Sequence, residues 1–231
     1  MKTKNKIAVL IPCYNEAKTV EKVIKDYKKV LPEADIYVYD NNSTDGTAEL
    51  ARNVGAIVKY EYKQGKGNVI RSMFKDIEAD CYFMIDGDDT YSCSDIKKMC
   101  DMILNDEADM VIGDRLSSTY FKENKKIIHS FGNRFVRLLV NLLFKSNVKD
   151  ILTGGRAFSR NFVKSINIES NQFEVETEMT IYAIVNNYRI KDVPIIYKDR
   201  IKGSMSKIKT FKDGSKIIRT AFRLFRKYKQ K

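Results

Sequence analysis

Three aspartates lie within four residues at the end of a short apolar run, in the stretch CYFMIDGDDTY at residues 81–91. Carboxylates this close repel one another, so a cation is needed to offset the repulsion. Asp86 and Asp88 offer the oxygen ligands that Mg²⁺ and Mn²⁺ prefer. Because such an ion usually also holds substrate phosphates, the pattern predicts a divalent metal site and a phosphorylated ligand. The alternative is a solvated acidic loop or the N-cap of a following helix.

The elements that position these carboxylates follow from hydrophobic patterning. Apolar runs predict strands at 6–11, 35–40, 56–60, 82–85 and 109–112, and amphipathic runs predict helices at 16–30, 47–54 and 94–104, with another helix opening at 65–68. Beyond residue 113, helices are predicted at 127–144 and 176–187, and a strand near 189–197. Alternating strands and helices predict an α/β fold with a parallel sheet in one doubly wound domain.

Polar residues follow three of the predicted strands. Asn15, Asp40 and Asp86 each fall at the carboxyl end of a strand. In open α/β sheets, ligands bind in the crevice beyond those ends. We therefore expect the three loops to converge on one site.

The composition is that of a folded protein. A chain of 231 residues with 43% hydrophobic residues is long enough for one sizeable α/β domain. Its four cysteines form no CxxC pair, which predicts reduced thiols. The first apolar run ends at Pro12, and the stretch at 135–144 is shorter than the roughly 20 apolar residues that a membrane span needs. We expect neither a secretion signal nor a spanning helix.

The positive charge of the chain is concentrated at its C-terminus. Residues 201–231 contain eleven Lys or Arg against one acid, Asp213, in a chain of net charge +12. Apolar residues recur at helical spacing between these cations, which is typical of a helix lying on an anionic membrane surface. The alternatives are a helix docked on the domain and a nucleic-acid-binding module. Clustered aromatics of a base-stacking surface are not evident, so nucleic acid is not an expected partner.

Nine short motifs, taken in chain order, resemble one enzyme family. They are IPCYNE (11–16), VYDNNSTDGT (38–47), GKGN (65–68), DGDD (86–89), GDR (113–115), GNR (132–134), DILTGGRAFSR (150–160), FEVETEM (173–179) and VPIIYKDRIKGSMSK (193–207). The chain resembles the inverting GT-A glycosyltransferases of family 2, in particular the polyprenyl-phosphate sugar synthases such as dolichol-phosphate mannose synthase.

The resemblance implies a GT-A, Rossmann-like single domain over residues 1–209 and an amphipathic interfacial helix over 210–231. It implies transfer of a sugar from a nucleotide sugar to a polyprenyl phosphate with inversion, for cell-surface glycan synthesis. Asp86 and Asp88 are implied to bind Mg²⁺ or Mn²⁺. The residues implied to bind the donor are Pro12, Tyr14, Glu16, Asp40, Lys66 and Asp86. Those implied in catalysis are Asp88, Arg115 at the acceptor phosphate, and Arg200 and Lys207 at the donor phosphates.

The chemistry of a phosphate acceptor agrees with this residue set. A phosphate monoester has a second pKa near ~6, so it is already a nucleophilic anion at neutral pH and needs no strong general base. Such an enzyme should instead supply cations for two phosphate groups. The candidates are Arg115, Arg134, Arg156, Arg200 and Lys207. His129, the single histidine, is not expected to act in catalysis, and Glu174, Glu176 and Glu178 either order the site or cap a helix.

Two other enzyme classes compete with this interpretation. Asp86, Asp88 and Thr90 match the DxDx[TV] pattern of haloacid-dehalogenase phosphatases, although that pattern normally follows the first strand of its domain. A family 2 transferase acting on a sugar hydroxyl is the second alternative; it would need a late catalytic aspartate. UDP-glucose and UDP-N-acetylglucosamine are the favoured donors, with GDP-mannose open. The expected location is the cytoplasm, peripheral on the inner face of the cell membrane, with a homo-oligomer possible.

Overall fold

The computed structural model describes residues 5–117, 127–201, 207 and 210–229, without the side chains of 127–131 and 210. His129 therefore lies outside the described side chains. The strands are β1 (Ile7–Cys13), β2 (Asp35–Asp40), β3 (Ile57–Tyr60), β4 (Cys81–Met84), β5 (Met110–Asp114), β6 (Arg156–Ser159) and β7 (Ile190–Pro194). They form a seven-stranded sheet in the order β3-β2-β1-β4-β6-β5-β7. The alternating α/β organisation predicted from the sequence is confirmed.

The sheet is parallel, as predicted, except at β6, a strand that the sequence analysis did not predict. β6 runs antiparallel to both of its neighbours, β4 and β5, whereas the other pairings are parallel. The physical reason is the path of the chain. It leaves β5 at Asp114 and re-enters the sheet at Arg156, and the pairing of Ile112 with Arg156 places both points at the same end of the sheet. A chain that returns from the end it left must run in the opposite direction.

Helices cover both faces of the sheet. They are α1 (Val20–Val30), α2 (Thr47–Asn53), α3 (Lys66–Asp76), α4 (Ile96–Leu104), α5 (Ile127–Phe144), α6 (Arg160–Ser165), α7 (Val175–Val185) and α8 (Thr210–Lys229). Successive strand residues face opposite sides: Val9 packs with α1, α2 and α4 in one core, and Leu10 with α3 and α5–α8 in the other. Among the described residues, none of the helices combines the length and the apolar character needed to cross a bilayer.

The C-terminal helix α8 is docked on the domain by one face. Ile217, Ala221 and Leu224 are buried in the core shared with α5 and α7. Phe225 meets Phe144 of α5 edge to face, with ring centroids 5.7 Å apart. The docked helix that the sequence left as an alternative is therefore present, and a membrane contact of α8 concerns the face that remains outside.

Candidate active site

The loops after β1 and β2 are tied together by hydrogen bonds between their backbone and polar side chains. Asn15 donates its backbone N–H to Ser43 Oγ (2.9 Å) and accepts the N–H of Thr44 on its own Oδ1 (2.8 Å). Glu16 donates its N–H to Thr47 Oγ1 at 2.9 Å. Asn15 has φ +53°, a left-handed conformation that asparagine tolerates better than most residues. The first helix begins after this bonded segment, at Val20 and not at residue 16 as predicted.

Asp40, at the end of β2, has a buried oxygen available to a ligand. Its Oδ1 accepts the N–H of Ser43 at 2.9 Å, whereas its Oδ2 has no hydrogen-bond partner among the described residues although it is buried. A buried acceptor without a donor costs about 1–3 kcal/mol, which a ligand N–H or O–H would recover. Residues of the three loops lie around the Cys13 thiol, as the predicted convergence requires. Burial raises the pKa of this thiol, and the nearby negative charges of Glu16, Asp40, Asp86 and Asp88 raise it further.

Asp86 shares the ammonium of Lys66 with a second carboxylate. Lys66 opens α3, and its Nζ lies 2.6 Å from Asp86 Oδ1 and 2.6 Å from Glu176 Oε1 of α7. Burial alone would raise the pKa of Asp86, but the charge of Lys66 outweighs burial and holds that pKa below its ordinary value. Burial would likewise lower the pKa of Lys66, and the two carboxylates raise it instead. Lys66 and Asp86 are thus both charged at neutral pH.

Asp88 is paired with Arg200, and its other oxygen is held locally. The Arg200 guanidinium forms an ion pair with Asp88 Oδ2, and Thr90 Oγ1 donates to Asp88 Oδ1 at 2.6 Å. Burial raises the pKa of Asp88, and the negative charge of Asp86 adds to the rise. The third aspartate points elsewhere, since Asp89 Oδ1 lies 2.8 Å from Lys22 Nζ on α1. Lysine and arginine side chains therefore offset the repulsion between these carboxylates.

The two carboxylates fit a hard divalent ion that completes its shell with other oxygens. Asp86 and Asp88 both offer carboxylate oxygens. A Cβ on Gly154 would overlap the Asp86 carboxylate, so glycine at this position leaves room for that side chain. Among the described residues, no group of three or more His, Cys, Asp or Glu could form a complete cage. Mg²⁺ and Mn²⁺ sites of one or two carboxylates plus water and substrate phosphates have this composition.

Lys207 closes the first loop from the C-terminal side. Its Nζ lies 2.7 Å from Glu16 Oε1 and 3.0 Å from the Asn15 carbonyl oxygen. Burial raises the pKa of Glu16, and the bond to Lys207 opposes the rise. Nearby, Pro12 is partly buried at the end of β1 and the Tyr14 side chain is 39% exposed. Lys207 thus links the C-terminal segment to residues 12–16, which the sequence predicted to bind the donor.

Arg115, just after β5, is oriented by a buried carboxylate. Its Nε donates to Asp150 Oδ2 at 2.8 Å and its Nη2 to Asp150 Oδ1 at 3.1 Å, while Asn133 of α5 donates to the same Oδ1 at 3.0 Å. Burial would raise the pKa of Asp150, but Arg115 holds it below its ordinary value. The guanidinium also lies over the Tyr197 ring, 5.3 Å from its centroid. Arg115 is thus a further cation, whose carboxylate partner is Asp150, whereas Lys66 and Arg200 pair with Asp86 and Asp88.

Comparison with known proteins identifies the family of the chain. Residues 8–166 match the family model described as glycosyl transferase family 2. The chain belongs to glycosyltransferase family 2. It is 35% identical over 224 residues to glycosyltransferase AglJ of Haloferax volcanii, a match covering 96% of this chain and 73% of that protein. It is 30% identical to a dolichyl-phosphate hexose transferase of the same organism, covering 91% of this chain and 90% of that one. The membership inferred from the nine motifs is confirmed, and the phosphatase alternative is wrong.

The structural comparison shows the GT-A fold. A crystal structure of glucosyl-3-phosphoglycerate synthase from Mycobacterium tuberculosis, in complex with Mn²⁺, UDP and glucosyl-3-phosphoglycerate, superimposes with a TM-score of 0.78. The match covers 96% of this chain and 80% of that one at 18% sequence identity. Identity this low establishes a shared fold alone, so the substrates of this glycosyltransferase have to be argued from its own residues.

One predicted phosphate-binding cation of the glycosyltransferase is structural. Arg156 is fully buried and donates to the Thr153 and Ile151 carbonyl oxygens (3.0 and 2.6 Å) and to Thr180 Oγ1 (2.8 Å). Burial lowers its pKa to about 10. The prediction that Arg156 meets a substrate phosphate is wrong, because its side chain braces the 151–153 loop against α7. Arg134, the other candidate of this kind, is exposed on α5.

The glutamate cluster divides into one site residue and two loop supports. Glu178 accepts the N–H groups of Glu169 and Ser170 (2.9 and 2.7 Å), and Glu174 accepts those of Asn171 and Gln172. Glu176 alone among the three reaches Lys66. Sequence reasoning left these roles open, and it assigned none to Asp150 or Asn133. Their signal was present only as positions within the DILTGGRAFSR and GNR motifs.

Proposed function

We propose that this glycosyltransferase moves a sugar from a nucleotide sugar to a polyprenyl phosphate, with inversion at the sugar carbon. The observation that carries the proposal is the presence of two separate cation groups in one crevice. Lys66, Arg200 and Lys207 surround the carboxylates at the ends of β1 and β4. Arg115 instead pairs with the buried Asp150. A donor diphosphate and an acceptor phosphate are the two anions that such an arrangement suits.

The donor would occupy the side of β1 and β2. The unpartnered oxygen of Asp40 and the residues Pro12, Tyr14 and Glu16 line the part of the crevice suited to a base and ribose. UDP-glucose or UDP-N-acetylglucosamine is the preferred donor, in keeping with the UDP and UDP-glucose bound by the structurally similar synthase. Asp86 and Asp88 would hold Mg²⁺ or Mn²⁺, which when bound stabilises charge on the diphosphate leaving group.

Arg200 and Lys207 can exchange their carboxylate partners in the protein for phosphates of the substrate. Each now pairs with a carboxylate, Asp88 and Glu16 respectively, and each lies in the C-terminal segment that follows β7. A diphosphate placed in the crevice offers both cations stronger, charge-assisted partners. Their positive charge would then develop its full effect as the diphosphate leaves, which is when negative charge accumulates there.

The acceptor needs orientation more than activation. A phosphate monoester is a dianion above its second pKa of about 6, so attack on the sugar carbon requires no proton transfer to a strong base. Arg115, fixed by two bonds to Asp150, is a planar donor set suited to a phosphate. The lipid acceptor places the reaction at a membrane, and we propose peripheral association with its anionic cytoplasmic face.

Transfer of label into lipid tests the core of this proposal. Incubation of the protein with labelled UDP-sugars, Mn²⁺ and undecaprenyl phosphate should yield label that partitions into organic solvent. The anomeric coupling of the product, measured by NMR, should show a β-linkage from the α-linked donor. Asp86→Asn serves as the control, since it keeps the side-chain shape and removes the charge. If no tested nucleotide sugar labels the lipid phase while a free oligosaccharide is extended, the sugar-hydroxyl alternative replaces this proposal.

A further inference from the structure

The outward face of α5 is apolar where a surface helix is ordinarily polar. Phe135, Leu138 and Leu142 are 52%, 67% and 75% exposed, and their spacing of three and four residues places them on one side of the helix. Val136 and Val140 are buried on the opposite side. Three large apolar side chains on one exposed helix face form a patch of the kind that marks an interaction site.

This apolar face continues towards α8. Phe144 of α5 touches Phe225 of α8, and on that flank of α8 the residues three and seven positions earlier are Phe222 and Ile218. Phe222 is 42% exposed. A shallow groove runs along the flank, lined by Ile218, Arg219, Phe222, Arg223 and Arg226. Two neighbouring helices thus present apolar side chains to solvent.

The charge around the two helices is positive. Arg134 on α5 and Arg219 and Arg226 on α8 are exposed, and none has a carboxylate partner among the residues that the structure describes. By contrast, Arg223, which also lines the groove, pairs with Glu169, and so does Lys227. The occupant of the surface must therefore offer both apolar contact and negative charge. A second copy of the chain would bring the same cations and repel.

We propose that the exposed faces of α5 and α8 together form a surface that enters the interface of an anionic lipid bilayer. This inference rests on the proposed function and extends it to α5, which the basic composition of the C-terminus does not reveal. Exposed apolar side chains beside unpaired cations are the combination that partitions into such interfaces. α5 also connects the lipid to the site, because Asn133 on its inner side donates to Asp150, the carboxylate that orients Arg115.

Vesicle binding with paired substitutions tests the surface. The full chain should bind vesicles of equal parts phosphatidylcholine and phosphatidylglycerol, more weakly as salt rises. Leu138→Glu with Leu142→Glu should lower partitioning by about tenfold or more, and Phe222→Glu should lower it through α8. The matched control is Ile57→Glu on the edge strand β3. Ile57 is 43% exposed, close to the 42% of Phe222, and its substitution should leave vesicle binding unchanged. Substitution is preferred to removal of α8, because removal would expose the core residues that Ile217, Ala221 and Leu224 of this helix cover.

Two results would overturn the inference. One is unchanged vesicle binding by the α5 double variant. The other is a dimer in light scattering that this variant disperses, which would make the face a contact between copies. A water-soluble short-chain polyprenyl phosphate separates this test from the proposed function. The double variant should transfer sugar to it as well as the unsubstituted chain does, whereas failure of the unsubstituted chain to use it would count against the proposed acceptor and not against the surface.

A second inference concerns Glu176. Lys66 lies at equal distance, 2.6 Å, from a carboxylate that would bind metal and from one that would not. A divalent ion at Asp86 competes with the ammonium for the same oxygens. We infer that Glu176 is a positioning residue, which retains Lys66 beside the site when metal takes Asp86. Its burial, with a side chain 5% exposed, keeps this partner in place.

Metal binding without substrate distinguishes this role from a structural one. In calorimetric titration with Mn²⁺ alone, Lys66→Met should bind about tenfold more tightly because the competing cation is gone, a change of ~1.4 kcal/mol. Glu176→Gln should bind more weakly, because Lys66 then pairs with Asp86 alone. The double variant should resemble Lys66→Met. No gain in Lys66→Met, or an equal loss from Glu176→Gln in both backgrounds, would overturn the inference; thermal unfolding of each variant verifies that it is folded.

Discussion

Asp86→Asn and Asp88→Asn should each reduce sugar transfer at least about a hundredfold, in line with the loss of one charge-stabilising group in other enzymes. Both changes keep the side-chain shape and remove a metal-binding charge. EDTA should abolish the activity of the unsubstituted chain. Transfer is measured as labelled lipid, and metal affinity as Mn²⁺ binding, so that loss of metal and loss of turnover can be compared in the same variants.

The two variants should differ in stability, because the two aspartates sit in different surroundings. Asp86→Asn removes one of two partners of Lys66, which keeps Glu176, so the free energy of unfolding should fall by about 2 kcal/mol. Asp88→Asn removes a carboxylate whose ionised form is disfavoured by burial and by Asp86, and its loss should destabilise less.

The matched control for both variants is Asp89→Asn. The Asp89 side chain pairs with Lys22 on the surface of α1, and its φ of +58° suits asparagine. Its activity and metal affinity should equal those of the unsubstituted chain. Full turnover of the unsubstituted chain in EDTA, or a loss in Asp89→Asn equal to that in Asp86→Asn, would contradict the assignment of the metal ligands.

Substitutions of Arg115 and Arg200 should separate the acceptor from the donor. Arg115→Lys keeps the charge but cannot form the two-pronged bond to Asp150, so the KM for polyprenyl phosphate should rise by roughly tenfold or more while the KM for the nucleotide sugar changes little. Arg200→Ala should act in the reverse sense, on the donor. Lysine is chosen for Arg115 because alanine would leave Asp150, which is fully buried, without its counterion, at a cost of about 3–5 kcal/mol.

The pH dependence supplies an independent readout of the acceptor. Below the second pKa of the phosphate, near ~6, the acceptor is protonated and a weaker nucleophile, so the rate should fall on the acid side around that value. Because that limb belongs to the acceptor, it should persist in Arg200→Ala. Equal effects of the Arg115 and Arg200 variants on both substrates would refute the separation of the two cation groups.

Much of the candidate site could be predicted from sequence, and for a clear reason. Asp40 and Asp86 end apolar runs with the length of strands, and the carboxyl ends of neighbouring parallel strands meet at one edge. The motifs GKGN and DGDD then identify the family. The pairing of Lys66 with both Asp86 and Glu176 could not be predicted, because residues 66 and 176 lie far apart in the chain and meet only through packing of α3 against the segment before α7.

The features that could not be predicted share a physical origin in tertiary context. Arg156 has the sequence environment of a phosphate ligand, but its register in β6 sets it beside Met84 and Ile112, in the core. The apolar residues of α8 have the spacing of an interfacial helix, yet Ile217, Ala221 and Leu224 pack on the domain. An amphipathic pattern indicates that a face will be buried, but it does not say whether protein or lipid buries it.

The antiparallel return of β6 also means that the chain makes a closed excursion between β5 and β6. The two ends of this excursion are bonded neighbours, since Gly113 donates its backbone N–H to the Gly155 carbonyl oxygen at 2.9 Å. A segment whose ends adjoin can be lengthened or exchanged without altering the order of strands on either side. Arg115, the proposed acceptor cation, and its support Asp150 lie within the excursion, and the proposed donor residues lie outside it. A change in the length of the excursion can therefore leave the ends of β1, β2 and β4 in place.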